Sequence, residues 1–333
     1  MNTYALPEKK KISILGTAFY YTPLVMSLLF FVMLLSLGDI ARASVIASLD
    51  MCVKILIPSL FPFMVMGEIL FFLGAAELLG RILGKPFERC FGISGCGVGA
   101  FLLGAVCGLP LGGKYALTLY KNGIINKRDC EALMGISTNA GMGFAVMGIG
   151  VGIWGSYSFG WLIYLCQIFS SVLTGIIFRQ EKKSPIIAPA TVQITKKPFN
   201  EVFTEAISSS VVAMLKICGF TVFFGVLNSY ISWVCIQIGL PSLFLATILS
   251  FTEISKACSS LHTFYCTGAS AMLHSARVLT FFSVGFAGLS VHMQLSSFVG
   301  DLKISMKKYY LQKLLCGLIC SATGAILLHF LSF

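Results

Sequence analysis

Charged residues are scarce in this chain, and their scarcity excludes a water-soluble globular protein. Only 11% of the 333 residues are Asp, Glu, Lys or Arg, while 57% are hydrophobic. Soluble domains carry about 25% charged residues. So few charges leave too little polar surface to cover a globule of this size. The sequence therefore predicts a protein that lies in a lipid bilayer.

Catalytic and metal-binding motifs are also missing. The 12 cysteines and 4 histidines contain no C-x-x-C pair and no spacing typical of metal ligands. No H-E-x-x-H motif, Ser-His-Asp order or pair of catalytic carboxylates can be assembled. Gly108, Gly113 and Lys114 match the start of a phosphate-binding loop, but Tyr115 stands where that loop needs Ser or Thr. We therefore expect no enzyme activity, metal or cofactor.

The excess of basic residues would indicate nucleic-acid binding in a soluble protein. There are 24 Lys and Arg against 13 Asp and Glu, which gives a formal net charge of +11. Here the basic residues stand in short runs between apolar segments, as the residues that orient membrane proteins do. They form no basic face with interleaved exposed aromatic residues, so no nucleic-acid partner is expected.

Apolar segments of about 20 residues, the length at which a helix crosses a bilayer, recur along the chain. They lie at 20–37 and near 55–80, 97–119, 132–153, 157–178, 211–251, 269–299 and 309–333. Backbone groups in lipid must bond within their own segment, so helices are expected. We predict a multi-pass, all-α protein of the cell membrane, with the bilayer as a partner and homo-oligomerisation left open.

Loop charges predict two halves that cross the membrane in opposite directions. Basic loops at 81–89 and 121–128 have uncharged counterparts near 229–241 and 258–268. The pattern then reverses, because the loop near 301–308 is basic and its first-half counterpart is uncharged. Short basic loops stay cytoplasmic, so we predict an inverted repeat, which is how many secondary transporters are built.

The predicted domains follow from this reversal. Residues 1–43 form a cytoplasmic N-terminus and a first transmembrane helix, because the first apolar run is too long for a signal peptide. Residues 44–178 are the first repeat and 199–333 the inverted second repeat. The stretch 179–198, rich in Lys and Pro, is a cytoplasmic linker between them.

Residues 97–119 contain features that break a helix. Pro110 removes a backbone hydrogen bond, and Gly112 and Gly113 each lower helix propensity by about 1 kcal/mol relative to Ala. Irregular backbone at membrane depth is tolerated only where protein or a watery cavity covers it. We predict a re-entrant hairpin that breaks around 109–113. Close packing of small residues along this glycine-rich segment is the alternative, and the two interpretations are compatible.

The second half has a polar interruption at the matching place, within a predicted hairpin over 241–260. Thr252, Glu253, Ser255 and Lys256 interrupt an apolar run. A charge at the bilayer centre costs at least about 2.5 kcal/mol, so such residues are functional candidates. Glu253 and Lys256, three residues apart, could pair on one helix face. A structural ion pair and direct solute contact both stay open.

Two further polar interruptions lie in long apolar runs. Thr138 and Asn139 precede a flexible Ala-Gly-Met-Gly sequence. Ser290, His292 and Gln294 occupy alternate positions, so a regular helix would point them in different directions and an unwound segment could present them together. Helix packing is the alternative role for His292.

Four of these motifs together resemble the YlbJ-type family of sporulation integral membrane proteins, in the nucleoside-recognition or Gate-domain group. The motifs are the glycine-rich run at 97–114, Ser-Thr-Asn-Ala-Gly at 137–141, Phe-Thr-Glu-Ile-Ser at 251–255 and Gly-Leu-Ser-Val-His-Met-Gln at 288–294. The resemblance covers about 44–333. It implies a fold distantly similar to concentrative nucleoside transporters, and an inner-membrane protein of spore-forming bacteria that moves dipicolinic acid, a small aromatic dicarboxylate, during sporulation.

The sequence departs from the family pattern in its first half. It reads Gly-Leu-Pro-Leu-Gly-Gly-Lys where Gly-Tyr-Pro-Ile-Gly-Ala-Lys is expected, and Thr-Asn-Ala-Gly-Met-Gly where Thr-Asn-Thr-Ser-Asn-Pro is expected. The second change removes two polar groups, which fits a different solute or a weaker transporter.

The leading hypothesis is a transporter or facilitator of a small anion, with Lys114 and Lys256 each meeting one carboxylate of the solute. Helix N-termini at broken segments would also suit carboxylates. The alternatives are a membrane scaffold of spore envelope assembly and a nucleoside transporter. We expect Glu253 to share one midplane cavity with the two lysines. The predicted solute-binding residues are Gly112, Gly113, Lys114, Thr138, Asn139, Thr252, Glu253, Ser255, Lys256, Ser290, His292 and Gln294.

Overall fold

The computed structural model describes residues 14–179, 198–267 and 270–330, and within these ranges every regular element is a helix. Five helices are long and apolar enough to cross a membrane. A sixth span results if the helices Ala75–Phe91 and Gly95–Cys107, which are bent by 110° relative to each other, count as one. The prediction of a multi-pass, all-α membrane protein is confirmed. The predicted linker at 179–198, apart from its two end residues, and the first 13 residues lie outside the described ranges.

Eight α-helices lie in the described residues of the first half, 14–179. They are α1 (Ile14–Ser36), α2 (Gly38–Met51), α3 (Ile57–Phe72), α4 (Ala75–Phe91), α5 (Val98–Cys107), α6 (Leu111–Lys121), α7 (Lys127–Ser137) and α8 (Tyr157–Ile177). A π-helical turn joins α2 to α3 into one long rod, and a π-helix at Gly143–Ile153 follows the break after α7. Side chains of Asn126 and Ser156 cap α7 and α8 by accepting hydrogen bonds from backbone N–H groups.

Six α-helices lie in the described residues of the second half, 198–267 and 270–330. They are α9 (Phe199–Gln237), α10 (Ser242–Ser250), α11 (Ile254–Thr267), α12 (Ser270–Phe286), α13 (Gly288–Val299) and α14 (Lys307–Phe330). The 39 residues of α9 contain no proline, so the helix continues for about 58 Å. Because a bilayer's hydrocarbon core is about 30 Å thick, α9 must tilt or extend beyond it.

The same order of elements occurs in both halves. A long rod is followed by two short helices, a broken helix and a final spanning helix, and α4 alone among the elements after α1 has no counterpart. α9 packs against α2 and α3, while α14 packs against α12, α8 and α7. One apolar core therefore draws on both halves, with members such as Met64, Leu133, Ile163, Ile254, Phe281 and Leu295. The opposite membrane orientation of the halves stays a prediction.

Both predicted hairpins are present as packed pairs of short helices, α5 with α6 and α10 with α11. Their 9 to 14 residues give lengths of about 14–21 Å, too short to cross the hydrocarbon core. The break in the first hairpin was predicted around 109–113 and instead lies at 108–110. Gly108 adopts φ +90°, which suits glycine, and Pro110 directly precedes α6.

Gly112 and Gly113 are therefore helical, and their role is close packing. A methyl group on Gly112 would overlap the carbonyl oxygen of Ser137 at the end of α7, and it would lie 2.9 Å from the Cα of Gly104 on α5. The hairpin and the small-residue packing offered as its alternative occur together, because the absent side chains let α6 approach α5 and α7.

Candidate functional site

The break after α7 is fully buried, and its polar side chains form hydrogen bonds with nearby backbone carbonyls. The hydroxyls of Ser137 and Thr138 donate to the carbonyls of Leu133 and Met134, each at 2.7 Å. The Asn139 amide donates to the carbonyl of Ile136 at 2.7 Å, and its oxygen accepts from Ser171 on α8 at 2.6 Å. The Asn139 amide thus supplies a partner for a carbonyl that the last turn of a helix leaves without one, while the two hydroxyls add second bonds to carbonyls that backbone N–H groups already reach.

The tip of the first hairpin lies directly on this break. A methyl group on Gly108 would sit 2.6 Å from the backbone nitrogen of Gly141, and one on Gly113 would sit 2.8 Å from the Thr138 hydroxyl. The same methyl group on Gly113 would also lie 2.6 Å from the Cδ1 of Leu295 on α13. The structure thus brings Gly112, Gly113 and Thr138 together and places them beside a helix of the second half.

Lys313 completes the cluster at the α7 break, and sequence reasoning missed it. The residue is fully buried on α14, and its Nζ donates to the carbonyl oxygen of Thr138 at 2.8 Å. A signal was available, because Lys313 interrupts an apolar run near 309–333 that was predicted to cross the membrane.

Lys114 forms an ion pair that was not predicted. Its Nζ lies 2.5 Å from a carboxylate oxygen of Glu68 on α3 and donates to the Ser209 hydroxyl on α9 at 2.7 Å. The Glu68 side chain is 2% exposed and that of Lys114 is 21% exposed. Glu68 is the one charge in an apolar stretch of α3, so the same signal was present there. The pair joins the first hairpin to the long rods of both halves.

Glu253 lies at the tip of the second hairpin and caps α11. Its Oε2 accepts a hydrogen bond from the backbone N–H of Lys256 at 2.6 Å. The predicted side-chain pairing with Lys256 is therefore wrong as a direct contact, because Glu253 precedes the helix and its carboxylate reaches the free N–H groups of the first turn. Ser255 and Glu253 are buried, while Lys256 is partly exposed. In the described ranges no carboxylate lies within 4.0 Å of the Lys256 ammonium.

The second hairpin tip covers the break between α12 and α13. Ala287 and Gly288 both adopt positive φ angles there, 75° and 68°. The N–H groups of Leu289 and Ser290, at the start of α13, donate to the tip carbonyls of Phe251 and Thr252 at 2.8 and 2.9 Å. Both halves therefore have a broken helix whose break is covered by the tip of a hairpin.

Ser290, His292 and Gln294 do not face one common point. Regular helix resumes at Gly288, so the expected unwinding is confined to Ala287 between the two helices. Gln294 donates to the Ser290 hydroxyl one turn away at 3.3 Å, whereas the Nδ1 of His292 lies 2.9 Å from the Tyr309 hydroxyl of α14. His292 therefore links α13 to α14, in agreement with the packing alternative.

The described side chains contain no group of three or more His, Cys, Asp and Glu residues able to hold a metal ion. Ten of the twelve predicted residues fall into three clusters, and the other two are His292, which contacts Tyr309, and Gln294, which donates to Ser290. Gly112, Gly113, Thr138 and Asn139 form the first, around the α7 break, and Lys114 forms the second with Glu68. Thr252, Glu253, Ser255, Lys256 and Ser290 form the third, around the second hairpin tip. One cavity shared by Lys114, Lys256 and Glu253 stays a prediction.

Comparisons with known proteins agree with the motif analysis. No family model matches the chain. The chain is 24% identical over 308 residues to the sporulation integral membrane protein YlbJ of Bacillus subtilis (strain 168), a match that covers 81% of this chain and 73% of the relative. The predicted resemblance to YlbJ-type proteins is confirmed.

One solved structure is also similar, CNTnw in an inward-facing substrate-bound state. The match has 14% identity and a TM-score of 0.47, and it covers 95% of this chain and 86% of that chain. Similarity at this level carries no property of that protein over to this chain.

Proposed function

We propose that this protein transports a small anionic solute across the bilayer. The observation that carries the proposal is that buried polar and charged groups gather where two broken helices are each covered by a hairpin tip. Broken helices at membrane depth are tolerated only where protein or a watery cavity covers them, and they are the usual place for solutes in secondary transporters. A membrane scaffold needs neither the breaks nor the buried charges.

The hairpin tips supply a mechanism for exposing the site. Two backbone hydrogen bonds, from Leu289 and Ser290 to the tip carbonyls, hold the second tip on the start of α13. The same two N–H groups suit carboxylate oxygens, since a helix N-terminus carries partial positive charge. A solute carboxylate can accept both hydrogen bonds in place of the two tip carbonyls. The N–H groups then keep the same number of partners, and the hairpin tip is released from α13.

The balance of charge favours an anion. The buried and half-buried charges of the hairpins, the breaks and their direct partners are the ammonium groups of Lys114, Lys256 and Lys313 and the carboxylates of Glu68 and Glu253. Lys256 is close to the second tip in sequence and lacks a carboxylate partner in the described part of the chain. An aromatic dicarboxylate such as dipicolinic acid, with one carboxylate on Lys256 and the other on Lys114 after exchange with Glu68, is the solute we propose.

Uptake into proteoliposomes tests the proposal. The purified protein is reconstituted, and uptake is measured for dipicolinic acid, other dicarboxylates and nucleosides, with protein-free liposomes as the background. We expect saturable uptake of a dicarboxylate, and its loss in K256A. The exposed, ion-paired Lys54 serves as a matched control in K54A, since its side chain is 70% exposed. Uptake of nucleosides alone would refute the anion assignment, and no uptake of any solute would favour the scaffold.

A further inference from the structure

We propose that Lys313 is a built-in cation, whose ammonium occupies the position at the α7 break where a broken helix otherwise binds a sodium ion. Solute movement then requires no sodium. The inference rests on the proposed transport function for its consequence, but the occupied cation position can be tested without any solute.

The position has the chemistry of a cation site. α7 ends at Ser137, and the C-terminal end of a helix carries partial negative charge. Such ends, together with unwound carbonyls, coordinate the coupling cation in transporters with broken helices. At this break the carbonyl oxygen of Thr138 is bound by the Lys313 ammonium at 2.8 Å.

The surrounding groups are neutral hydrogen-bonding groups. Asn139 accepts from Ser171, whose hydroxyl also lies 3.5 Å from the thiol of Cys316, one turn beyond Lys313 on α14. On the far side of the break, the Gln167 amide bonds both backbone groups of Ala140 when its oxygen and nitrogen are assigned to satisfy them. The break is therefore held between α8 and α14.

No carboxylate in the described ranges lies within 4.0 Å of the Lys313 ammonium. A fully buried charge without a counter-charge is unfavourable, so the Thr138 carbonyl and the C-terminal end of α7 must supply the compensation. An ion pair is thus not the reason for a lysine at this position. Its role matches that of a metal cation, which is also stabilised by carbonyl oxygens and a helix C-terminus.

The ammonium and a sodium ion exclude each other at this position. Two unit positive charges 4 Å apart repel by about 4 kcal/mol at an effective dielectric constant of 20. That repulsion weakens binding of a second cation by about a thousandfold, since 1.4 kcal/mol corresponds to a factor of ten. With Lys313 in place, we therefore expect no sodium at the α7 break.

The first test uses the unaltered protein in detergent. Its melting temperature is measured in NaCl, KCl and choline chloride at equal ionic strength, and uptake of the transported solute is measured with sodium replaced by choline. We expect melting temperatures that agree to within about 1 °C, and equal uptake. A sodium-specific rise of several degrees overturns the inference even if no solute is transported, and so does uptake that requires sodium.

The second test removes the ammonium. K313A leaves a cavity beside the Thr138 carbonyl, K313M fills the same space without charge, and K307A changes an exposed lysine on the same helix as a control. We expect K313A to melt below the wild type, and added sodium or methylammonium to raise its melting temperature by at least about 3 °C. Neither cation should affect K313M or K307A.

A K313A protein that melts like the wild type, or that responds to neither cation, overturns the inference. If K313A does not fold, the measurements on the unaltered protein decide. If uptake is absent while K313A regains stability with sodium or methylammonium, the transport proposal fails and the built-in cation stands.

Discussion

The ion pair between Glu68 and Lys114 gives the most quantitative prediction. Removing one partner of a buried pair costs about 3–5 kcal/mol, because the other charge is left without compensation. In E68Q, Lys114 keeps its hydrogen bond to Ser209, and its side chain is 21% exposed to solvent. The loss of stability in E68Q should therefore be smaller than the usual cost. We expect E68Q to lower the free energy of unfolding by about 2–3 kcal/mol.

The measurement is denaturation in mixed micelles, followed by the fluorescence of the three tryptophans. A double-mutant cycle with K114M isolates the pair, and we expect a coupling free energy of at least about 1.5 kcal/mol. D50N is the matched control, because its salt bridge to Lys54 is exposed and worth at most about 0.5 kcal/mol. Equal stability of E68Q and wild type, or a coupling near zero, would refute the reasoning.

Transport adds an independent readout for the same pair. If a solute carboxylate takes the place of Glu68 on Lys114, then E68Q removes a competitor for that ammonium. We expect the KM of E68Q to fall several-fold and K114M to lose uptake. An unchanged KM in E68Q would refute the exchange while leaving the structural ion pair intact.

Two further predictions rest on individual contacts, and a third rests on the loop charges. E253A should lose the cap of α11, and its free energy of unfolding should fall by about 1 kcal/mol. E253Q should shift the pH profile of uptake only if Glu253 carries a coupling proton. G112A should lower the yield of folded protein and the melting temperature sharply, because its methyl group overlaps a carbonyl at the end of α7; G219A, with open space around its Cβ, should be neutral. For topology, an external thiol reagent should label Q237C and leave K121C unlabelled, in a background without the exposed native cysteines Cys90 and Cys266. The reverse labelling pattern would contradict the predicted orientation.

Much of the fold could be predicted from the sequence because local physical chemistry controls it. Composition and the length of apolar runs determined an all-α membrane protein, and Pro110 marked the turn of the first hairpin, although Gly112 and Gly113 proved to be helical. The polar interruption around Glu253 likewise marked the second hairpin tip. These are properties of single segments, so each can be derived from a few consecutive residues.

Tertiary structure decided the partners of the buried charges. Lys114 pairs with Glu68, which is 46 residues away, and Lys313 binds the carbonyl of Thr138, which is 175 residues away. No periodicity in the sequence relates such positions, and a carbonyl acceptor has no sequence signature because every residue has one. The capping role of Glu253 also depended on where α11 begins, which is uncertain by several residues from the sequence. The sequence therefore contained the signal for each of these buried charges, although Glu68 and Lys313 were not singled out from it, and only the packing of distant helices decided what compensates each of them.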